Sequence, residues 1–265
     1  MNNLLLSAAI GDIAGMPYEF NATKNYDEVD LLLPYNNYTD DTLCTFACAE
    51  ALLKNTNIAE NLRYRCRADI HRGFGGSFLR WLQSPELQPA YYSFGNGSGM
   101  RVSAAGFMAT SKEECIELAT QTAMPTHNHP EGIKGAVATA LAIYYGMQGK
   151  DKAFIKKQVL DEYYFKWSEL SYVDIKPDYT FDVTCQGSVP QAIKAFVEAK
   201  DYEDCIRNAI SLGGDADTQA AIAGGIAEYC FGIPQKLRNQ AMSYLTEDLL
   251  QILNAFESKY GFVIS

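Results

Sequence analysis

Basic stripes, paired-cysteine motifs and long apolar runs are all missing from this 265-residue sequence, and each absence removes a class of function. Twenty-two basic residues stand against 32 acidic ones, a formal net charge of -10, and the basic residues gather into no stripe or tail. That argues against nucleic-acid binding, which runs on lysine and arginine against phosphate. A small phosphate-bearing ligand survives the test, because backbone N–H groups and metal ions also hold phosphate. No segment reaches the roughly 18 apolar residues of a membrane span. The opening MNNLLLSAAIGDIAG has no basic lead, and its apolar run breaks at Asp12. Seven cysteines, at 44, 48, 66, 115, 185, 205 and 230, include no Cys-x-x-Cys pair. An odd number scattered through apolar, helical-looking stretches predicts buried free thiols in a reducing compartment, hence a cytoplasmic protein.

Strand-type alternation is scarce too. Residues 29–33, 172–175 and 262–264 are the only candidates, too few for a sheet core. Helical periodicity dominates instead, over 3–14, 41–54, 112–124, 131–147, 151–163, 188–198, 202–212, 216–230 and 246–258. Gly149 stops one of these segments and Gly232-Ile233-Pro234 another. With 48% hydrophobic residues there is enough for one substantial core. The class is all-α, with 1–265 read as a single domain. Ala216, Ala220, Ala221, Ala223, Gly224, Gly225 and Ala227 nearly line one segment with small side chains. Glycine costs a helix about 0.5–1 kcal/mol relative to alanine, so this segment is expected to be the central helix, closely approached by a neighbour.

Two clusters of hard oxygen ligands each open a predicted helix: Thr39-Asp40-Asp41-Thr42, and Asp215-Ala216-Asp217-Thr218 after Gly213-Gly214. Helix N-termini, with unpaired N–H groups and a positive dipole end, make such carboxylates tolerable. Asp215 and Asp217 lie about 200° apart on an ideal helix, so the Gly-Gly turn has to aim them together. Four carboxylates with hydroxyls suit Mg²⁺ or Mn²⁺ and offer nothing to favour zinc. Such a set could bridge two ions. Helix capping is the plain alternative for either cluster alone. Between Tyr91 and Val102, YYSFGNGSGMRV lacks a P-loop ending but could form an anion-binding nest, with Arg101 adding charge. THNHPEG at 126–132 places two histidines two apart, where a helix start is the simpler reading.

Taken in order, GDIAGMPYE (11–19), TDDT (39–42), GNGSGMR (95–101), THNHPEG (126–132) and GGDADTQAAIAGGIAEYCFGIP (213–234) resemble the ADP-ribosylglycohydrolase family, which includes the dinitrogenase reductase-activating glycohydrolase. The likeness runs from about residue 4 to 234. It implies an all-α orthogonal helix bundle with a binuclear Mg²⁺ or Mn²⁺ site that cleaves the glycosidic bond between ADP-ribose and a protein side chain or small molecule. By motif the metal ligands would be Thr39, Asp40, Asp41, Asp215, Asp217 and Thr218. Glu19 would be a gating or catalytic glutamate, with Asp41 and Asp215 also carrying the chemistry. Gly95, Asn96, Gly97, Ser98, Gly99, Met100 and Arg101 match the loop around the diphosphate and adjacent ribose, while His127 and His129 match lining positions. One departure stands out. Arginine-specific members carry an acid where this chain reads HRGFGGSFLRW (71–81), with Asp69 the nearest, so the resemblance does not extend to specificity for ADP-ribosyl-arginine. That segment and 165–187 are expected to wall the acceptor side, with Phe74, Trp81, Tyr172 and Phe181 either stacking on adenine or packing. A metal-dependent phosphohydrolase and a non-catalytic ADP-ribose-binding or immunity protein are the rival readings.

Overall fold

The computed structural model describes residues 5–261 of the chain. In chain order the helices are α1 Leu6–Gly15, α2 Asp40–Lys54, α3 Ile58–Ala68, α4 Gly76–Gln83, α5 Gly97–Met100, α6 Ser103–Met108, α7 Lys112–Ala123 and α8 Pro130–Met147. Then come α9 Lys152–Ile155 and α10 Asp161–Tyr163, joined by a π-helical turn, and α11 Phe165–Ser168, α12 Tyr172–Ile175, α13 Cys185–Glu198, α14 Tyr202–Ile210, α15 Ala216–Phe231, α16 Gln235–Met242 and α17 Glu247–Tyr260. Among the described residues there is no strand, only an isolated bridge between Gly95 and Thr184. The all-α expectation therefore holds, while two strand readings do not. Residues 29–33 are irregular, and 172–175 is α12, started by a capping box in which Ser171 and Asp174 satisfy each other's backbone N–H groups. Residues 262–264 lie outside the described residues.

The centre of the bundle is α15. It packs against α1, α8, α13 and α14 within one apolar cluster that runs through the protein. Its small residues matter most against α1, where backbones nearly touch. A Cβ on Gly11 would stand 2.0 Å from the Ala220 carbonyl oxygen, and one on Gly15 would stand 2.5 Å from the Ala216 carbonyl oxygen. Neither glycine can take a side chain without parting the helices. This intimacy brings Asp12, in α1, alongside Asp217, in α15. The helix ends follow the predicted stops: Gly149 closes the turn after α8 and Gly232 caps α15, both at positive φ.

Candidate active site

Asp12 organises the first acidic cluster. It is fully buried in an apolar helix, and a carboxylate there needs partners. They come from the start of α2. Thr39 donates its N–H at 2.9 Å and its hydroxyl at 2.7 Å, and Thr42 donates its N–H at 3.1 Å together with its hydroxyl. Asp12 thus holds the N-terminus of α2 from outside the helix, while Thr39 caps it from within by accepting from the Asp41 N–H. The N–H of Asp40 donates to the carbonyl of Arg72 at 2.8 Å. These bonds fix the backbone from which Asp40 and Asp41 reach the cavity.

The second cluster is set by Gly213, at φ +76°, which turns the chain into α15 with Asp215 at its N-cap. Asn96 donates from Nδ2 to Asp215 Oδ2 at 2.6 Å and to Ser188 Oγ at 3.1 Å, so the GNG loop steadies this aspartate. Glu19 arrives after the short 3-10 turn Met16–Tyr18 that ends α1. One oxygen from each of Glu19, Asp215 and Asp217 lies within 4.8 Å of the others, a grouping that could hold a metal ion.

Electrostatically the cluster is under strain. Burial, reinforced by mutual repulsion, pushes Asp40, Asp41 and Asp217 well above the ordinary carboxylate range. Asp215 rises to about 6 by burial, against the pull of its hydrogen bonds. Glu19 rises to about 8, first from burial and then from the charges of Asp217 and Asp12. Asp41 Oδ2 is buried without a hydrogen-bond partner. An all-oxygen donor set that repels itself and leaves an oxygen orphaned fits a hard divalent cation.

One cavity of about 330 Å³ takes in these groups. Glu19, Asp40, Asp41, Asp215, Asp217 and Thr218 line it together, so the two acidic stretches meet despite their distance in sequence. Gly95, Asn96, Gly97, Met100, Arg101 and His127 line the same cavity. Arg101 is buried, donating from Nε and Nη2 to the Thr122 carbonyl and from Nη2 to the Thr126 hydroxyl. Burial and Arg101 depress the imidazole of His127 well below its ordinary value, so it is neutral at pH 7. Four predicted residues stand outside this lining. Thr39 gives its hydroxyl to Asp12, and Ser98 donates to the Gly132 carbonyl at 2.7 Å. Gly99 packs toward Val189 and Ile222. His129 caps α8 by accepting from the Glu131 N–H, its ring against Tyr92 and Phe94.

From the two predicted walls, Gly73, Gly75, Gly76, Ser77, Phe78 and Val183 face the cavity. Phe74, Trp81 and Tyr172 are buried in the core, and Phe181 is exposed. Residue-type reasoning passed over Asp12, although a single acid inside an apolar helix was itself a signal. It also passed over Cys44 and Tyr91, both lining the cavity.

A bundle of helices with buried carboxylates gathered on one cavity defines an all-α protein with an acidic centre. The chain belongs to the ADP-ribosylglycohydrolase family, whose model matches residues 2–261. It is similar to ADP-ribosylhydrolase ARH3 of Homo sapiens, at 24% identity over 93% of this chain and 90% of that protein. ARH3 of Xenopus tropicalis is 25% identical over 90% of this chain and 89% of its own. An uncharacterized protein of Archaeoglobus fulgidus is 28% identical over 88% of both chains. Among solved structures, an ADP-ribosylglycohydrolase-related protein complex superposes with a TM-score of 0.77 at 21% identity, covering 97% of this chain and 96% of that one, a likeness of fold. No described helix is long and apolar enough to cross a membrane.

Proposed function

We propose that this protein is a divalent-cation-dependent hydrolase that frees ADP-ribose from an acceptor by cleaving the glycosidic bond between them. The observation that carries the reading is the convergence of Glu19, Asp40, Asp41, Asp215 and Asp217 on one cavity, with Asp41 Oδ2 unpartnered. Asp40, Asp41, Asp215, Asp217 and the Thr218 hydroxyl would hold two Mg²⁺ or Mn²⁺ ions, while Thr39, outside the lining, supports the start of α2 through Asp12. Bound there, the ions would supply Lewis acidity toward sugar hydroxyls and a water.

The protein's own groups do the rest. Asn96 keeps Asp215 in one orientation. Asp12 keeps the Asp40–Asp41 backbone in place. The cavity lining that includes neutral His127 and buried Arg101 would receive the ADP portion and keep its orientation fixed. The bond from the anomeric carbon to the acceptor breaks, its electron pair leaving with the acceptor atom, and water oxygen takes its place on the carbon. Glu19, whose carboxyl is pushed up to about 8 by burial and by the charges of Asp217 and Asp12, would give the acceptor its proton. Neighbouring carboxylates stabilise positive charge on the sugar ring as the bond breaks. Seven free cysteines, six of them buried, support a reducing, cytoplasmic setting.

The test is hydrolysis of ADP-ribosyl-arginine, ADP-ribosyl-serine and O-acetyl-ADP-ribose with Mg²⁺ or Mn²⁺, with chelator, and with Asp215→Asn, reading free ADP-ribose by mass. Release that needs both the cation and Asp215 is expected. Phosphate release, or tight ADP-ribose binding with no turnover on any conjugate, overturns the reading.

A further inference from the structure

Free cysteines in a helical core usually act as small apolar side chains. Cys48 reads that way, fully buried and away from the cavity lining. Cys44, one turn before it on α2, differs in two respects. It lines the cavity with Asp40 and Asp41, and its Sγ lies 3.7 Å from Sγ of Cys66, on α3. Both are free thiols. They stand 22 positions apart on different helices, so no short cysteine motif announces them in the sequence.

The spacing has a chemical meaning. A disulfide would need the two sulfurs about 2.0 Å apart. Two sulfurs on one tetrahedral Zn²⁺, each at about 2.3 Å, stand about 3.8 Å apart. Cys44 and Cys66 meet that second requirement almost without moving. The helices that carry them are locked together on either side. Arg65, next to Cys66, donates from Nε and Nη2 to Glu50 of α2, both at 2.7 Å, and Asn61 donates to the Ala47 carbonyl at 2.7 Å. A third donor stands on the same face of α2, since Asp40 lies four residues before Cys44 and lines the same cavity.

We infer that Cys44, Cys66 and the Asp40 carboxylate form a site for a thiophilic divalent cation of the Zn²⁺ kind, with water from the cavity as fourth ligand. Binding breaks the S–H bond of each thiol and sends the proton to water. The electron pair stays on sulfur and forms the bond to the metal, with no change of oxidation state. Thiolate sulfur selects Zn²⁺ and softer ions and gives little to Mg²⁺ or Mn²⁺. One cavity thus offers an all-oxygen centre and, beside it, a mixed sulfur and oxygen one, with Asp40 common to both. A Zn²⁺ ion that draws Asp40 toward the sulfurs takes a ligand from the hard centre. On the hydrolase reading above, the consequence is inhibition by Zn²⁺. The thiol site itself rests on the paired sulfurs and the cavity, and stands apart from that reading.

The experiment titrates the reduced protein, in excess Mg²⁺, with Co²⁺ and with Zn²⁺. Co²⁺ reports thiolate ligation by a charge-transfer band in the near ultraviolet, and Zn²⁺ affinity is read by competition with a chromogenic chelator. Cys44→Ala and Cys66→Ala remove the proposed ligands, Cys48→Ala controls for the loss of a buried thiol, and melting curves check that all three fold. Wild type and Cys48→Ala are expected to show the band. The other two variants should lose it and bind Zn²⁺ at least about tenfold more weakly. Zn²⁺ should also stop Mg²⁺-supported release of ADP-ribose by wild type, and Cys66→Ala should need at least about tenfold more Zn²⁺ for the same effect. Absence of the band in folded, reduced wild type, or equal Zn²⁺ affinity in wild type and Cys66→Ala, overturns the site. Equal inhibition of the two by Zn²⁺ overturns the sharing of Asp40. No turnover on any conjugate, with the band intact, overturns the hydrolase reading alone and upholds the thiol site.

Discussion

Replacing Gly11 by alanine puts the α1–α15 contact to its sharpest test. The new Cβ would lie 2.0 Å from the Ala220 carbonyl oxygen and 2.2 Å from its carbon, both backbone atoms that cannot rotate away. Ordinary contact begins near 3.4 Å, so the two helices must part by more than about 1 Å. Overpacking of that kind costs about 1–3 kcal/mol, and alanine's better helix propensity returns at most about 1 kcal/mol. A net loss near 2 kcal/mol in a protein of this size lowers Tm by about 4 °C. The next residue is Asp12, which holds the start of α2, so the same displacement reaches Asp40 and Asp41. We expect Mn²⁺ affinity, measured by calorimetry, to fall at least about tenfold. Gly225→Ala is the internal control. Its Cβ would meet the Ser103 hydroxyl at 3.2 Å, a group able to turn aside, and Tm should change by less than about 1 °C. Gly11→Ala melting and binding Mn²⁺ like the wild type would refute the reasoning, as would equal losses in the two variants.

Other consequences are equally measurable. A saturating divalent cation, at about 100 times its Kd, should raise Tm by about 5 °C, and chelator should remove the whole gain; a Tm indifferent to both would count against a cation site. Asn96→Ala frees Asp215 Oδ2 from its 2.6 Å partner and should weaken cation affinity about 10- to 100-fold with the far-UV spectrum unchanged. Glu50 is buried and held at about 2, chiefly by its paired hydrogen bonds to Arg65, well below its unfolded value near 4.5. Its stabilisation is therefore present above pH 4.5 and lost as pH falls toward 2. Glu50→Gln should cost about 3 kcal/mol at pH 7 in urea melts, a gap that closes with acid; a gap independent of pH would show that the carboxylate charge is not what matters.

The acidic half of the site was legible in sequence because its carboxylates come in excess of what capping needs, at both 39–42 and 215–218. The central helix was legible from its alanines and glycines, whose only plain use is close approach. Other parts hid behind local ambiguity. SYVDI reads as alternating apolar residues, yet Ser171 and Asp174 are spaced for the capping box that makes it a helix. α3 carries four charges in eleven residues, so its apolar face was faint, though Asn57 caps it. Ser98 and His129 sit inside motif-like stretches, but their side chains are spent on the Gly132 carbonyl and the α8 N-terminus, partners that only tertiary structure reveals. Asn96 showed the converse, a loop residue whose amide serves a carboxylate 119 positions away.

The glycine-lined meeting of α1 and α15 also bears on synthesis. At translation rates of about 5–20 residues per second, α15 leaves the ribosome roughly 10–40 s after α1. Through that interval the nascent chain carries α1, all ten of whose residues are buried in the finished protein, without the helix that covers it most closely. Asp12 can engage α2 early, but Asp217 arrives late. Truncated products that end before residue 215 would therefore present an apolar helix and only the first of the two acidic clusters, a state suited to capture by chaperones and to rapid proteolytic removal.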